Sequence, residues 1–111
     1  MSFVTNVVIG FYPTDIKELK KNIKTFLELK EEEFRYRDFY KKGAIKEVSS
    51  GTKGPTYYVI AGGFNYFDPE LFIEMCEWLR KEKKIHSEGV VRREDWENRL
   101  EIINNTVWQD D

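Results

Sequence analysis

This sequence of 111 residues has little of the side-chain chemistry on which disulfides and metal sites depend. It contains one cysteine, Cys76, and one histidine, His86. A single thiol forms no intramolecular disulfide, and a transition-metal site needs several ligands that converge. We therefore expect no disulfide and no such metal centre. Cys76 lies in an apolar stripe and is predicted to be a buried, inert thiol, whereas His86 follows a basic helix end and is predicted to lie in an exposed loop.

Long hydrophobic runs are also missing. The apolar stretch at 57–61 is much shorter than the roughly 20 residues that cross a bilayer. The first residues lack a basic start followed by an apolar segment and a small-residue cleavage site, so no secretory signal is expected. A chain that is 41% hydrophobic and 15% aromatic has enough apolar surface to fold. These features predict one cytoplasmic domain, residues 1–111, with no membrane segment.

Sequence patterns that support catalysis are absent too. Gly51 and Gly54 are not followed by the Gly-Lys-Ser/Thr that opens a helix in a phosphate-binding loop. The acids Glu94, Asp95 and Glu97 lack the glycine and terminal glutamate of a calcium loop. We therefore expect no catalytic residues, no bound metal and no cofactor, and a protein that binds another molecule without transforming it.

Hydrophobic periodicity and turn signals predict an α+β fold. Asp15, and Asp68 followed by Pro69, are helix N-cap signals, and each precedes an amphipathic stripe. The segment Phe34–Tyr40 alternates aromatic and charged residues and then breaks, so both a short strand and a loop remain open. The predicted elements are a strand Phe3–Tyr12, a helix to about Lys30, a hairpin of Ala44–Ser49 and Thr56–Ala61 joined through a turn at 49–55, a helix from Asp68 to about Lys84, and strands Gly89–Arg93 and Arg99–Asn104 joined by a turn at 95–98.

Two amphipathic helices on one face of a mostly antiparallel sheet are the economical way to bury these stripes. The result is a two-layer sandwich of the ferredoxin-like or a related type. The run Val7-Val8-Ile9 predicts a central strand that is buried on both faces. Gly62 and Gly63 are expected to close the strand that precedes them.

Charge and aromatic content indicate the kind of partner. From Glu94 onward the chain has six acids and one base, Arg99, which predicts a negative field near the C-terminus and does not favour nucleic acid. Aromatic residues beside charges are typical of protein interfaces. We therefore predict that a protein partner contacts residues in two stretches, namely Tyr66 and Phe67, and Glu94, Asp95, Trp96 and Glu97.

An alternative function is open. The RNA-recognition fold is ferredoxin-like and stacks bases on aromatic side chains of its central strands. Lys53-Gly54 before Tyr57-Tyr58 resembles part of its motif, although Pro55 stands where that motif has an aromatic residue. A ferredoxin-like module that binds RNA, or that dimerises through its sheet, is therefore the second hypothesis.

The C-terminal half of the chain resembles a family of small immunity proteins from bacterial polymorphic toxin systems. The residues that carry the resemblance are Gly63-Phe64-Asn65 before a helix, Ser87-Glu88-Gly89-Val90-Val91 on a strand, and the acidic turn Glu94-Asp95-Trp96-Glu97 before a last strand. Tyr66 and Phe67 stand where the family tends to have a basic pair. The resemblance implies an antitoxin that binds and neutralises a cognate toxin, often a nuclease. It also implies that the acidic turn contributes to recognition, which suits a basic toxin.

Overall fold

The protein is an α+β domain with a five-stranded sheet, as the sequence predicts. The computed structural model describes residues 3–40, 44–49 and 56–105. Its elements in chain order are β1 (Val4–Tyr12), α1 (Ile16–Leu29), a 3-10 turn (Glu33–Tyr36), α2 (Arg37–Tyr40), β2 (Ile45–Ser49), β3 (Thr56–Asn65), α3 (Pro69–Lys83), β4 (His86–Arg93) and β5 (Glu101–Asn105).

Every pair of neighbouring strands in the sheet is antiparallel, and the spatial order is β2-β3-β1-β4-β5. The order of the first six long elements is the split β-α-β order, extended here by β5. Helices α1 and α3 pack with the inward side chains of the sheet in one hydrophobic core. This is the two-layer arrangement expected; the ferredoxin-like assignment stays a prediction.

β1 is the central strand, but it is not buried on both faces. Val7, Ile9 and Phe11 point into the core, whereas Val8 between them is 54% exposed. Since side chains alternate along a strand and both long helices lie on one side, no helix or strand of the described residues covers the opposite side of this sheet. The prediction drawn from Val7-Val8-Ile9 was therefore wrong about the second face.

Both long helices begin where the sequence predicts. The Asp15 carboxylate accepts a hydrogen bond from the Glu18 backbone N–H at 2.7 Å, and Asp68 accepts one from Glu70 at 3.0 Å. These caps satisfy backbone donors that the first helical turn leaves without partners. α1 ends at Leu29, before the acidic run that opposes the helix dipole, and α3 ends at Lys83, with the C-cap residue Lys84 in a left-handed conformation.

The segment Phe34–Tyr40 is neither a strand nor an irregular loop. It forms the 3-10 turn and then α2, and Tyr36 and Phe39 are buried. Residues three apart share one side of a helical turn, whereas a strand would place them on opposite faces. Phe39 contacts the rings of Phe64, Phe67 and Phe72, which attaches this segment to β3 and α3.

β3 is longer than predicted, because Gly62 and Gly63 continue the strand to Asn65. A Cβ on Gly63 would lie 2.9 Å from Val4 Cγ1 and 3.1 Å from Asn6 Oδ1, so a side chain there would displace neighbouring side chains of β1. β4 is also longer and begins at His86.

Positions 50–55 of the predicted turn, and Trp108, lie outside the described residues. None of the described helices is long and apolar enough to span a membrane.

Candidate functional site

The two stretches predicted to contact a partner meet at one end of the sheet. Val4 pairs with Asn65 at the end of β3, and Thr5 pairs with Arg93 at the end of β4. β1 thus lies between two strands whose last residues lead directly into Tyr66 on one side and into the acidic turn on the other. About thirty residues separate Tyr66 from Trp96 in the chain, and the sheet brings their segments to the same edge.

A continuous series of contacts joins Tyr66 to the acidic turn. The Tyr66 backbone N–H donates to the Phe3 carbonyl at 2.9 Å, and the two rings meet edge to face with centres 5.8 Å apart. The Arg93 guanidinium lies 4.1 Å from the centre of the Phe3 ring, a cation–π contact. Arg93 Nε then lies 2.7 Å from Asp95 Oδ1. Tyr66, which is 52% exposed, therefore packs against Phe3, and the ring of Phe3 is in turn in contact with Arg93.

Trp96 is anchored in the turn between β4 and β5. Its backbone N–H donates to the Arg93 carbonyl at 3.0 Å, and its own carbonyl accepts from Arg92 Nε and Nη2 at 3.2 and 2.7 Å. The Arg99 guanidinium lies 4.1 Å from the centre of the indole ring. The indole is half-buried, so part of its surface is available to a partner.

The turn region is less negative than the stretch from Glu94 onward, because Arg92 and Arg93 lie beside its acids. Residues 92–101 contain three arginines and four acids, which is a formal charge of −1. Asp95 is paired with Arg93, and Glu94 Oε1 accepts a hydrogen bond from the Val4 N–H at 3.2 Å. Among the residues that the structure describes, Glu97 is the acid of this turn without an ion pair or hydrogen bond. Opposite charges this close nearly cancel beyond a Debye length, so the expected single-sign field is weak in the described part of the chain.

A groove of about 600 Å³ adjoins Tyr66. It lies between the Glu33–Tyr40 segment and the connection from β3 to α3. Phe34 on its rim is 59% exposed, and Arg35 is held beside it by Glu32, with Arg35 Nε and Glu32 Oε2 2.8 Å apart. The lining residues are Phe34, Arg35, Arg37, Asp38, Asn65 and Tyr66.

Sequence reasoning missed Phe34, Arg35 and Arg37 as site residues. The available signal was the alternation of aromatic and charged residues at 34–40. That pattern left strand and loop equally open, and it did not indicate which aromatic side chain faces outward. Only the helical conformation of this segment separates the buried Tyr36 and Phe39 from the exposed Phe34.

Phe67 does not belong to the exposed surface. Its side chain is fully buried, and its ring stacks on Phe72 with centres 4.2 Å apart. Tyr66 has a left-handed backbone (φ 55°), and the chain turns there between β3 and the N-cap Asp68. Tyr66 therefore points outward while Phe67 points into the core. Phe67 is removed from the predicted contact set for this reason.

Cys76 and His86, the one cysteine and the one histidine of the sequence, both pack against other residues of the fold. Cys76 is fully buried in the core, and burial raises the pKa of its thiol to about 12, so it is the inert thiol that the sequence predicts. His86 is not in a loop: it opens β4, is half-buried and stacks on Tyr12 with ring centres 5.8 Å apart. Burial lowers the pKa of His86, and Glu88 opposes that effect.

The face of the sheet opposite the helices carries the tyrosine relevant to the RNA-binding alternative. Tyr57 lies there beside Tyr12, with ring centres 5.4 Å apart, whereas Tyr58 packs against the core.

Within residues 3–40, 44–49 and 56–105, no group of three or more His, Cys, Asp or Glu side chains is placed to hold a metal ion. Comparison of the chain with protein-family models, curated proteins and solved structures finds no match.

Proposed function

We propose that this chain is a non-enzymatic protein-binding domain and that its recognition surface consists of Phe34, Arg37, Asn65, Tyr66, Trp96 and Glu97, here called the groove-and-turn surface. The observation that carries the proposal is the exposed ring of Tyr66 at the rim of a groove. Its backbone and ring are both fixed by Phe3. An aromatic side chain that is already immobile loses little conformational entropy on binding, and such residues dominate interface energetics.

The resemblance to immunity proteins makes the proposal more specific. Asn65, from the Gly63-Phe64-Asn65 motif, lines the groove, and the acidic turn forms the other side of the same surface. On this basis the domain binds a cognate bacterial toxin in a stoichiometric complex and neutralises it by covering its active site. A nuclease is the toxin class that the resemblance favours.

The charges of the surface support contact-driven binding more than long-range attraction. With a formal charge of −1 over residues 92–101, steering of a basic toxin is weak. Glu97 remains available to pair with one basic group of the toxin, while Tyr66 and Trp96 supply the buried contact area. We therefore expect association to depend only modestly on ionic strength.

The test uses the product of the reading frame immediately upstream as the candidate toxin. Co-expression with wild-type protein should restore growth, and calorimetry should give a one-to-one complex. Tyr66→Asn removes the ring and suits the left-handed backbone, so it should weaken binding by about 2 kcal/mol, or about 30-fold, without unfolding the domain. Trp96→Ala should have a similar effect.

Tyr40→Ala provides the matched control, because Tyr40 is 60% exposed and does not line the groove. It should bind as wild type does. Glu97→Lys should weaken neutralisation while circular dichroism stays unchanged. The proposal fails if the upstream product is not neutralised, or if Tyr66→Asn and Tyr40→Ala bind equally well.

A further inference from the structure

The open face of the sheet carries a row of apolar side chains that no described element covers. Val8 pairs directly with Ala61 on β3 and with Val90 on β4, and Val90 pairs with Ile102 on β5. Val8 is 54% exposed and Ile102 is 75% exposed. Four strands thus present one continuous apolar stripe to water, here called the apolar row (Ala61, Val8, Val90 and Ile102). Such stripes are typical of association surfaces.

The rows on either side of the apolar row are complementary to each other. On β4, Glu88 lies on one side of Val90 and Arg92 on the other, and both are exposed. In register with Glu88 are Gly10 and Val59; in register with Arg92 are Asn6 and Gly63. Across β4, β1 and β3, one flanking row therefore consists of Glu88, Gly10 and Val59. The other consists of Arg92, Asn6 and Gly63.

We infer that two copies of this chain associate through their open sheet faces, related by a two-fold axis that runs along the apolar row. This axis places each flanking row over the other row of the second copy. Glu88 then faces Arg92 of the second copy, and Val59 faces Gly63. The apolar row stacks on itself. One two-fold rotation therefore pairs opposite charges, places a valine over a glycine and buries the apolar row.

The other simple axis, parallel to β1, fits poorly. It would exchange β3 with β4 and place Glu88 over Val59 of the second copy. Glu88 would then lie over an apolar side chain, with Lys46 of the second copy, the neighbour of Val59 on β2, as a lateral cation and not a facing one, and desolvation of a carboxylate that is not directly paired is unfavourable. The charge pattern therefore favours the axis along the apolar row, in which Glu88 and Arg92 face each other directly.

Arg92 is already positioned for this contact. Its Nε and Nη2 donate to the Trp96 carbonyl, which fixes the guanidinium plane. An arginine has five N–H donors, so Nη1 remains able to donate to Glu88 of the second copy. The side chain accordingly loses little further freedom when the dimer forms.

The size of the face predicts a weak dimer. Four strands, each about 4.8 Å wide, and six residues of about 3.4 Å along β1 give a flat area of about 400 Å² per copy. Stable specific interfaces bury about 800 Å² per partner, so this association should be reversible, with a Kd on the order of 10–100 µM.

Sedimentation equilibrium from about 1 µM to 1 mM, a range that brackets this Kd, tests the inference. Wild-type protein should pass from monomer to dimer. Val90→Lys places an ammonium group in the apolar row and should weaken the dimer at least 10-fold; Lys81→Ala, on the exposed side of α3, is the control and should not. Glu88→Arg and Arg92→Glu, measured separately, should each weaken it at least 10-fold by placing like charges opposite each other.

A one-to-one mixture of the Glu88→Arg and Arg92→Glu variants gives the decisive result. In a mixed dimer both contacts join opposite charges, so association should return to within a few-fold of wild type. A turn damaged by loss of Arg92 would not recover on mixing. The inference is overturned if the wild type stays monomeric at 1 mM, if Val90→Lys dimerises normally, or if the mixture does not recover. Salt-dependent binding of single-stranded RNA by a persistent monomer would assign the face to the alternative partner instead.

Discussion

Gly89 on β4 lies directly against the backbone of Val8 on β1: a Cβ on Gly89 would come within 2.0 Å of the Val8 carbonyl oxygen and 2.7 Å of the Ile9 Cα. No side-chain rotation relieves such an overlap, because both contacts are with backbone. The two central strands can reach their observed separation only with glycine at this position. β1 is also the strand that brings the two halves of the groove-and-turn surface together.

Gly89→Ala should therefore destabilise the protein by about 3 kcal/mol or more, since the strands must move apart to admit the methyl group. Urea unfolding followed by circular dichroism measures the change. Gly10→Ala is the control: its new Cβ would meet Tyr57 Cδ1 at 3.7 Å, an ordinary van der Waals contact. Equal losses in the two variants would contradict the close approach.

Tyr66 and Phe67 are adjacent in sequence, and we expect opposite outcomes when they are replaced. Phe67→Ala removes a ring that stacks on Phe72 in the core and should cost about 3–5 kcal/mol of unfolding free energy. Tyr66→Asn should change stability by no more than about 1 kcal/mol, because Tyr66 is 52% exposed and the packing it loses is its edge-to-face contact with Phe3. A large loss for Tyr66→Asn would mean that Tyr66 is a structural residue, and its loss of binding could then not be assigned to recognition.

The Cys76 thiol should be chemically silent in the folded protein. Burial raises its pKa from the ordinary value of 9.0 to about 12, so almost no thiolate is present at pH 8. A disulfide reagent should react slowly with native protein and rapidly in guanidinium. Fast labelling of native protein at pH 8 would contradict the burial of this residue.

The same pKa shift has a consequence for stability. Between pH 9 and 12 the unfolded chain releases the Cys76 proton while the folded chain retains it. The contribution of Cys76 to folding stability is therefore fully present below pH 9 and is lost as the pH rises through this window. Cys76→Ala removes this contribution, so its stability should fall less steeply between pH 9 and 10.5 than that of the wild type. Parallel pH profiles would refute the assignment, and the comparison cancels the lysine and tyrosine titrations common to both proteins.

The parts of the fold that sequence analysis predicted correctly depend on short-range chemistry. The caps at Asp15 and Asp68, and the end of α1 before its acidic run, involve groups within one helical turn of each other. The exposure of Val8 was not predictable in this way. It depends on both long helices packing on the same side of the sheet, and the apolar run Val7-Val8-Ile9 is equally compatible with a strand covered on two sides.

The candidate site shows the same division. Tyr66, Trp96 and the acids of the turn are predicted as partner contacts from their residue types, whereas the burial of Phe67 and the exposure of Phe34 could not be predicted in that way. Exposure of an aromatic side chain depends on the backbone conformation of its segment and on what packs behind it. Neither is written in the spacing of the residues.

The chain's residue order alone specifies its α+β class and the starts of its helices, since these depend on composition and on contacts between near neighbours. Tertiary structure alone places β1 between β3 and β4, which unites Tyr66 with the turn and aligns Glu88, Val90 and Arg92 beside the apolar row. Strand order and register arise from burial of the whole core, a property of distant residues acting together.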